Sequence, residues 1–236
     1  MIRFDHVSKD FGGKNPALSD VSVEIPDGDF VFLIGPTGAG KSTLLKLIIR
    51  ELVPTEGTIT VDNWDSTTIP DSQIHLLRRH VRMVFQDYKL LMDRTIYENI
   101  SVGMEVLGKP QEEIEKGVHD VLELVELSDK ANVFPAQLSA GELQRIGIAR
   151  AIVGGPKILL ADEPTGNLDP ETSEEILDIL KEVNKMGTTV IVVTHNATLV
   201  DKNKKRTLTL KAGKLENDEI KGKYHLTKRS HHEKEH

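Results

Sequence analysis

Short runs of apolar residues alternate with stretches of helical periodicity along most of the chain. Residues 30–34 and 158–161 are apolar at every position, and residues 188–194 have four apolar residues in a row flanked by threonines. These runs are typical of strands buried on both faces of a parallel sheet. Residues 207–210 are a candidate fourth strand. Helical spacing is found at residues 42–50, 111–127, 142–153 and 170–186. This alternation predicts βαβ units around a largely parallel sheet.

A second, smaller layer is predicted near the N-terminus. Residues 3–7, 18–25 and 58–62 have the pattern of strands and are expected to form an antiparallel sheet.

The helix predicted at residues 170–186 has signals at both of its ends. Asp169 is a good N-cap, Pro170 suits the first position of a helix, and Gly187 suits the position after its end.

Composition narrows the class of protein. The 236 residues are 38% hydrophobic and 28% charged, which fits one folded globular domain rather than a disordered chain. The chain has no cysteine, so disulfides, cysteine-bound zinc and thiol nucleophiles are excluded. A net charge of −7 argues against a dedicated nucleic-acid binder, and no nucleic-acid partner is expected. Apolar runs are short compared with the roughly 20 residues of a membrane span, and no secretory signal begins the chain, so we expect a soluble cytoplasmic protein.

The segment after the first buried strand fits the pattern G-x-x-x-x-G-K-[ST] and consists of Gly35, Pro36, Thr37, Gly38, Ala39, Gly40, Lys41 and Ser42. It lies between a predicted strand and a predicted helix, which favours a phosphate loop over a chance glycine-rich turn. Glycines let successive N–H groups point inward, and the helix N-terminus adds the positive end of its dipole. We expect Lys41 to reach the β- and γ-phosphates, Ser42 to ligate Mg²⁺, and the neighbouring Thr43 to belong to the same nucleotide site.

Two carboxylates follow the second buried strand. Asp162 is placed to contact Mg²⁺ through water or through another ligand of the ion, and Glu163 is placed to polarise an attacking water. Their position favours this over two solvated acids, because ligands bind at the carboxyl ends of parallel strands in open α/β sheets. Lys41 and Asp162 are 121 positions apart, whereas one βαβ unit needs about 30 residues. A helical subdomain, at roughly residues 88–155, is therefore expected between them.

The remaining motifs resemble, in order and spacing, those of the ABC (ATP-binding cassette) ATPases. Gln86 matches the family's Q-loop, Asp169 its D-loop and His195 its H-switch. Phe11 matches an aromatic that stacks on adenine, and the family's signature segment is matched by Leu138, Ser139, Ala140, Gly141 and Glu142. Taken singly, each residue has an ordinary structural explanation, so the resemblance depends on their joint order over residues 1–224.

The resemblance implies a P-loop NTPase (RecA-like) core with an N-terminal antiparallel β subdomain and an inserted α-helical subdomain, all in one ABC ATPase domain over residues 1–224. It implies ATP and Mg²⁺ as ligands, with Ser42, Gln86 and Asp162 at the metal. Glu163 would activate water and His195 would contact the γ-phosphate.

The resemblance also implies a homodimer on ATP binding, in which each chain places its signature segment against the nucleotide of the other. The family usually has glycine where this chain has Ala140, which would add strain only if the local φ were positive. We expect the segment to be competent, with Gly141 donating to phosphate.

A membrane partner is implied as well, because family members transmit their ATP cycle to membrane subunits that dock near the Q-loop. Residues 87–99 fit that location, although Leu90, Leu91 and Met92 could equally be core residues of the helical subdomain. The closest subgroup is the FtsE-type cell-division ATPases, on the basis of residues 85–91, 97–100, 161–169 and 221–224. That subgroup implies an integral FtsX-type subunit, a peripheral position on the cytoplasmic face of the membrane, and control of cell-wall hydrolysis.

Two alternatives stay open at this point. An exporter ATPase of the macrolide or lipoprotein type would share the same catalytic residues, and a soluble non-transport ABC protein is less favoured because the chain lacks long coiled coils and a second cassette. The last residues, 225–236, are polar without periodicity and are expected to be a solvated tail; His231, His232 and His236 could bind a metal there.

Overall fold

The computed structural model of the protein describes residues 1–222 and residue 224. Its strands are β1 (Ile2–Lys9), β2 (Leu18–Ile25), β3 (Phe30–Ile34), β4 (Glu56–Val61), β5 (Trp64–Asp65), β6 (Val81–Val84), β7 (Ile158–Asp162), β8 (Thr189–Val193), β9 (Arg206–Lys211) and β10 (Lys214–Glu219). Its α-helices are α1 (Lys41–Ile48), α2 (Ile74–His80), α3 (Ile96–Glu105), α4 (Gln111–Leu124), α5 (Ala140–Ile152), α6 (Pro170–Lys185) and α7 (Ala197–Asn203). In this part of the chain, no helix combines the length and the apolar character that crossing a bilayer requires.

A six-stranded sheet forms the centre of the molecule, in the order β10-β9-β3-β8-β7-β6. Its strands are parallel except β10, which pairs antiparallel with β9. Every residue of β3 and β8 is buried, as expected from strands that are apolar at every position except Thr189. Because β3 and β7 are parallel, the loops that follow them emerge at the same edge of the sheet.

The smaller sheet is antiparallel and has the order β2-β1-β4-β5, which confirms the predicted N-terminal layer. The Asp62 carboxylate, in the turn between β4 and β5, joins this layer to the central sheet. Its Oδ2 lies 2.8 Å from Lys157 Nζ, just before β7, and 3.8 Å from His80 Nδ1 at the end of α2.

Helices α3, α4 and α5 follow β6 in the chain and precede β7, and they share a core that includes Ile100, Val118 and Ile146. The architecture confirms the predicted α/β class with an antiparallel layer and an inserted group of helices. The proposed boundaries, 88–155 for the helical insertion and 1–224 for the domain, stay predictions. The predicted tail at 225–236 lies outside the described residues.

Several predicted element ends are wrong by a few residues. The helix predicted at 42–50 ends at Ile48, the helix predicted at 111–127 ends at Leu124, and the helix predicted at 142–153 begins at Ala140. The last of these begins early because Ser139, rather than a later residue, caps it. Elements α2, α7, β5 and β6 were not predicted because each is short, and β10 was not predicted because it is polar. Helix α3 was also not predicted, although its capping box at Thr95 and Glu98 was a local signal.

Candidate nucleotide site

The phosphate loop joins β3 to α1, and two of its glycines are required by close backbone packing. Gly40, the N-cap of α1, has φ +104°, and a Cβ there would lie 2.4 Å from the carbonyl oxygen of Ala17. Gly35 has φ +152°, and a Cβ there would lie 2.2 Å from the carbonyl oxygen of Leu210. Both conformations disfavour larger residues, so the loop's shape is fixed by contacts with neighbouring strands.

A cavity of about 300 Å³ opens above this loop. It is lined by Ala17, Thr37, Gly38, Ala39, Gly40, Lys41, Ser42, Thr43, Gln86, Asp162, Glu163 and Val193. The structure therefore brings most of the predicted loop together with Gln86 and both predicted carboxylates. Gly35 and Pro36 are not among the lining residues, and their carbonyl oxygens accept hydrogen bonds of 2.9 and 3.2 Å from Lys41 Nζ.

Asp162 ends β7 at the wall of this cavity. Burial raises the pKa of its carboxyl, and the charge of Glu163 adds to the rise, whereas the Ser42 hydroxyl and the Lys41 ammonium oppose it. A cation bound beside Asp162 would favour the ionised form. The Ser42 hydroxyl, the Gln86 amide and this carboxylate are oxygen donors of the kind that Mg²⁺ prefers and could hold it here. No cluster of three or more His, Cys, Asp or Glu suited to a metal occurs among the described residues, so further ligands would come from nucleotide phosphates and water.

Glu163 has a left-handed backbone conformation, with φ +51°, which costs about 1–3 kcal/mol for a residue with a side chain. Its N–H donates to the carbonyl oxygen of Val193 at 3.0 Å, and its carbonyl accepts from Gly166 N–H at 3.1 Å. Its Oε2 lies 2.7 Å from His195 Nδ1. These contacts hold a carboxylate that is only 17% exposed at the cavity wall, while the His195 side chain is 67% exposed beside it.

The signature segment begins α5. Ser139 Oγ accepts from the backbone N–H of Glu142 at 3.3 Å, and the Glu142 carboxylate accepts from the backbone N–H of Ser139 at 2.8 Å. The hydrogen bonds that this carboxylate accepts from the backbone N–H and the hydroxyl of Ser139 lower the pKa of Glu142. Ala140 is the first residue of the helix and has no positive φ, so the strain foreseen for alanine does not arise. Gly141 packs so closely that a Cβ there would lie 2.7 Å from Thr172 Cγ2.

Asp169 is the N-cap of α6, where its Oδ1 accepts from the backbone N–H groups of Glu171 and Thr172. The Thr172 hydroxyl donates to Asp169 Oδ2 at 2.6 Å, and this bond is the largest of the effects that lower the pKa of Asp169. Phe11 follows β1 with 62% of its surface exposed, and Lys9 Nζ lies 5.1 Å from its ring centroid. The signature residues, Asp169 and Phe11 are thus absent from the lining of the cavity in the same chain.

Two polar residues near Gln86 were missed by the sequence reasoning. Arg150, near the end of α5, donates to the backbone carbonyls of Tyr88 and Lys89. Asn99, fully buried in α3, bonds the backbone N–H and carbonyl of Leu91. An amide at a core position of an otherwise apolar pattern was a usable signal for Asn99, but Arg150 gave none because its partners are 61 and 62 positions away.

Comparison with known proteins agrees with this geometry. The ABC transporter family matches residues 18–166, which is more than half of the chain. The chain is 46% identical over 224 residues to the cell division ATP-binding protein FtsE of Bacillus subtilis, covering 95% of this chain and 98% of that protein. It is 47% identical over 215 residues to FtsE of Escherichia coli K12, covering 91% and 97%. Among solved structures, dimeric MJ0796, described as a bacterial ABC transporter cassette, superposes with TM-score 0.85 at 36% identity, covering 95% of this chain and all of that one. A second MJ0796 dimer, in a post-hydrolysis state with ADP and Pi, gives TM-score 0.84.

Proposed function

The chain belongs to the ABC transporter family of ATPases, and on that premise we propose that it is the ATPase subunit of a cell-division complex of the FtsE and FtsX type. The proposal is supported by relatives named FtsE that match nearly the full length of the chain. In this role the cassette lies on the cytoplasmic face of the membrane, held there by an integral FtsX-type partner. Its ATP cycle would regulate cell-wall hydrolysis.

One observation carries the chemistry: a carboxylate held by His195 faces the phosphate loop. Glu163 takes a proton from water, whose oxygen attacks the γ-phosphorus. The bond to the β–γ bridging oxygen breaks, and ADP and phosphate are released. Lys41 binds the β- and γ-phosphates and His195 contacts the γ-phosphate. Mg²⁺, held by Ser42, Gln86 and Asp162, would neutralise charge on the phosphates.

The position of the signature segment supports a head-to-tail homodimer. Ser139, Gly141 and Asp169 do not line the cavity of their own chain, so we propose that they reach the nucleotide of a second copy. The γ-phosphate then supplies contacts that ADP lacks, which makes the closed pair dependent on ATP. The dimeric state of the similar MJ0796 cassette is consistent with this arrangement. Phe11, which is exposed, is the proposed platform for adenine.

A cleft of about 630 Å³ beside the Q-loop supports the membrane partner. Phe85, Val102 and Ala151 are among the residues that line it. In the adjoining loop, Leu91 is 44% and Met92 is 58% exposed, so these two side chains are available for contact rather than used as core. We propose that the FtsX-type subunit inserts a helix here.

Replacing Glu163 by Gln tests the assignment. The amide keeps the size of the side chain but cannot accept the proton, so ATP binding should persist while hydrolysis falls by about 10²–10⁴-fold. The variant should accumulate as an ATP-dependent dimer in light scattering, and Glu171→Gln, an exposed acid in the first turn of α6, is the matched control. A monomeric, fully active Glu163→Gln protein contradicts the proposal.

The cellular role has a separate test. Co-expression with an FtsX-type subunit should bring the cassette to membranes, and reconstituted vesicles should show ATP hydrolysis without solute transport. Transport of a macrolide or a lipoprotein would instead establish the exporter alternative.

A further inference from the structure

The loop that follows Gln86 has an unfavourable backbone. Tyr88 and Lys89 are consecutive residues with φ +58° and +51°, a left-handed conformation that side chains larger than glycine rarely adopt. A conformation of this kind persists only where surrounding contacts fix it. Gln86 lines the nucleotide cavity two residues before this pair, so whatever fixes the pair also fixes the position of Gln86.

Arg150 supplies that contact from α5. Its Nη1 donates to the carbonyl oxygen of Lys89 at 2.6 Å and its Nη2 to that of Tyr88 at 2.8 Å. A planar guanidinium can satisfy two adjacent carbonyls at once, which the single ammonium of lysine cannot do with the same geometry. The side chain is largely desolvated, and burial lowers its pKa. Among the described residues, no carboxylate forms an ion pair with it, so its hydrogen bonds go to the loop.

The far side of the loop is fixed by α3. The Asn99 amide nitrogen donates to the carbonyls of Leu91, Arg94 and Thr95, and its oxygen accepts from Leu91 N–H. Residues 86–90 also have local contacts, from Tyr88 N–H to the Phe85 carbonyl and between Lys89 and Asp87. Arg150 adds the attachment of this short span to α5. Movement of α5 would therefore be felt at Gln86.

Arg150 shares α5 with the signature segment. Ser139 caps this helix, and Arg150 lies eleven positions farther along, about 16 Å away at the rise of an α-helix. One rigid helix thus connects two regions. At one end is the segment proposed to contact the nucleotide of the second copy, and near the other end is the loop that carries Gln86 into the nucleotide site of its own chain. The two nucleotide sites of a dimer would be linked through this arginine.

We propose that Arg150 is a positioning residue that transmits the placement of the signature end of α5 to Gln86, so that closure on a second copy and the approach of Gln86 to the nucleotide occur together. This inference rests on the proposed ATP-dependent dimer. It predicts that loss of the guanidinium impairs hydrolysis while leaving the phosphate loop able to bind ATP.

A double-mutant cycle with Gln86 tests the inference on the full-length cassette. Arg150→Met should bind ATP with the parent affinity and lower kcat about tenfold, and Gln86→Ala with Arg150→Met should be no slower than Gln86→Ala alone. In the Glu163→Gln background, Arg150→Met should also weaken the ATP-dependent dimer. Arg150→Lys keeps the charge and one donor direction, so its kcat should lie between those of the parent and Arg150→Met. If the Met variant fails to fold, the Lys variant takes its place in the test.

Arg78→Met is the matched control, because Arg78 likewise donates to two successive backbone carbonyls, those of Ile49 and Arg50, at 3.0 and 3.3 Å. It should lower the melting temperature to a similar extent while its effect on kcat stays within about twofold. The role of Arg150 is structural only, and the inference is wrong, in either of two cases. One is that the fold losses in kcat of Arg150→Met and Gln86→Ala multiply in the double variant, and the other is that Arg78→Met lowers kcat as much as Arg150→Met does. Failure of the proposed function is distinguishable, because Gln86→Ala alone would then leave hydrolysis unchanged.

Discussion

Alanine in place of Gly40 tests how strictly the phosphate loop depends on its packing. Gly187, after the end of α6, provides the comparison, because its φ of +99° nearly equals the +104° of Gly40 while a Cβ there meets nothing within 4 Å. Alanine at Gly187 should therefore cost only the left-handed backbone term, about 1–2 kcal/mol. For a chain of this size that lowers the melting temperature by about 2–8 °C without affecting ATP binding.

Gly40→Ala adds a steric clash to the same energetic cost of a left-handed backbone. The new Cβ would lie 2.4 Å from the carbonyl oxygen of Ala17 and 2.7 Å from Leu18 Cδ2. The backbone oxygen cannot yield easily, because the N–H of Ala17 is hydrogen-bonded to Lys9 at 2.8 Å. The start of α1 must shift instead, which misaligns the N–H groups that face phosphate, and we expect ATP affinity to fall at least tenfold, about 1.4 kcal/mol.

Calorimetric titration with ATP and thermal unfolding of both variants measure the two terms. Gly40→Ala should lose both stability and ATP affinity, and Gly187→Ala should lose stability alone. Parent-like ATP binding by Gly40→Ala would show that the loop tolerates the displacement, and equal loss of binding by Gly187→Ala would show that backbone strain anywhere has the same effect. Either result refutes the reasoning.

Ser139→Asp keeps a good helix cap but places a negative charge where the γ-phosphate of ATP bound to a second copy would lie. Thermal stability should be retained, and light scattering in the Glu163→Gln background should show no ATP-dependent dimer. A dimer that persists contradicts the proposed contact. Asn99→Leu removes the hydrogen bonds that a fully buried amide makes with the backbone of Leu91, Arg94 and Thr95. Denaturant unfolding should therefore show a loss of about 3–5 kcal/mol in the free energy of unfolding, and a loss below about 1 kcal/mol would mean that the loop is held elsewhere. The hydrogen bond from Lys157 lowers the pKa of Asp62. The pair therefore stabilises the fold fully above the pKa of an unfolded Asp carboxyl, about 4, and this stabilisation is lost as the pH falls through the lower pKa of the folded state. Lys157→Met should unfold at a lower denaturant concentration than the parent at pH 7, and the difference should vanish in acid.

The central strands and the phosphate loop could be predicted because their signals are local. Residues 30–34 are apolar at every position, and the loop begins directly after them at Gly35 and ends in Gly40, Lys41 and Ser42. Element α3 also had a local signal, since Thr95 and Glu98 form a capping box. Strand β10 had little local signal in the sequence, because Lys214–Glu219 is an exposed and polar edge strand that is specified mainly by its pairing with β9.

Tertiary contacts explain what the sequence could not reveal. The left-handed conformation of Glu163 depends on partners such as Val193 and His195, which are 30 and 32 positions away. In the same way, nothing local to Tyr88 indicates that a side chain from α5 holds its carbonyl. The predicted roles of Phe11, Asp169 and the signature residues stay predictions, because a single chain places them outside the cavity.

The helix caps at Ser139 and Asp169 have a consequence for the speed of assembly. Both side chains are already fixed within a single chain by hydrogen bonds to Glu142 and Thr172, so the surface offered to a second copy needs no folding step of its own. Association would then be an encounter between two rigid, preformed faces. The reaction should be second order in the ATP-loaded cassette and show no slow unimolecular phase.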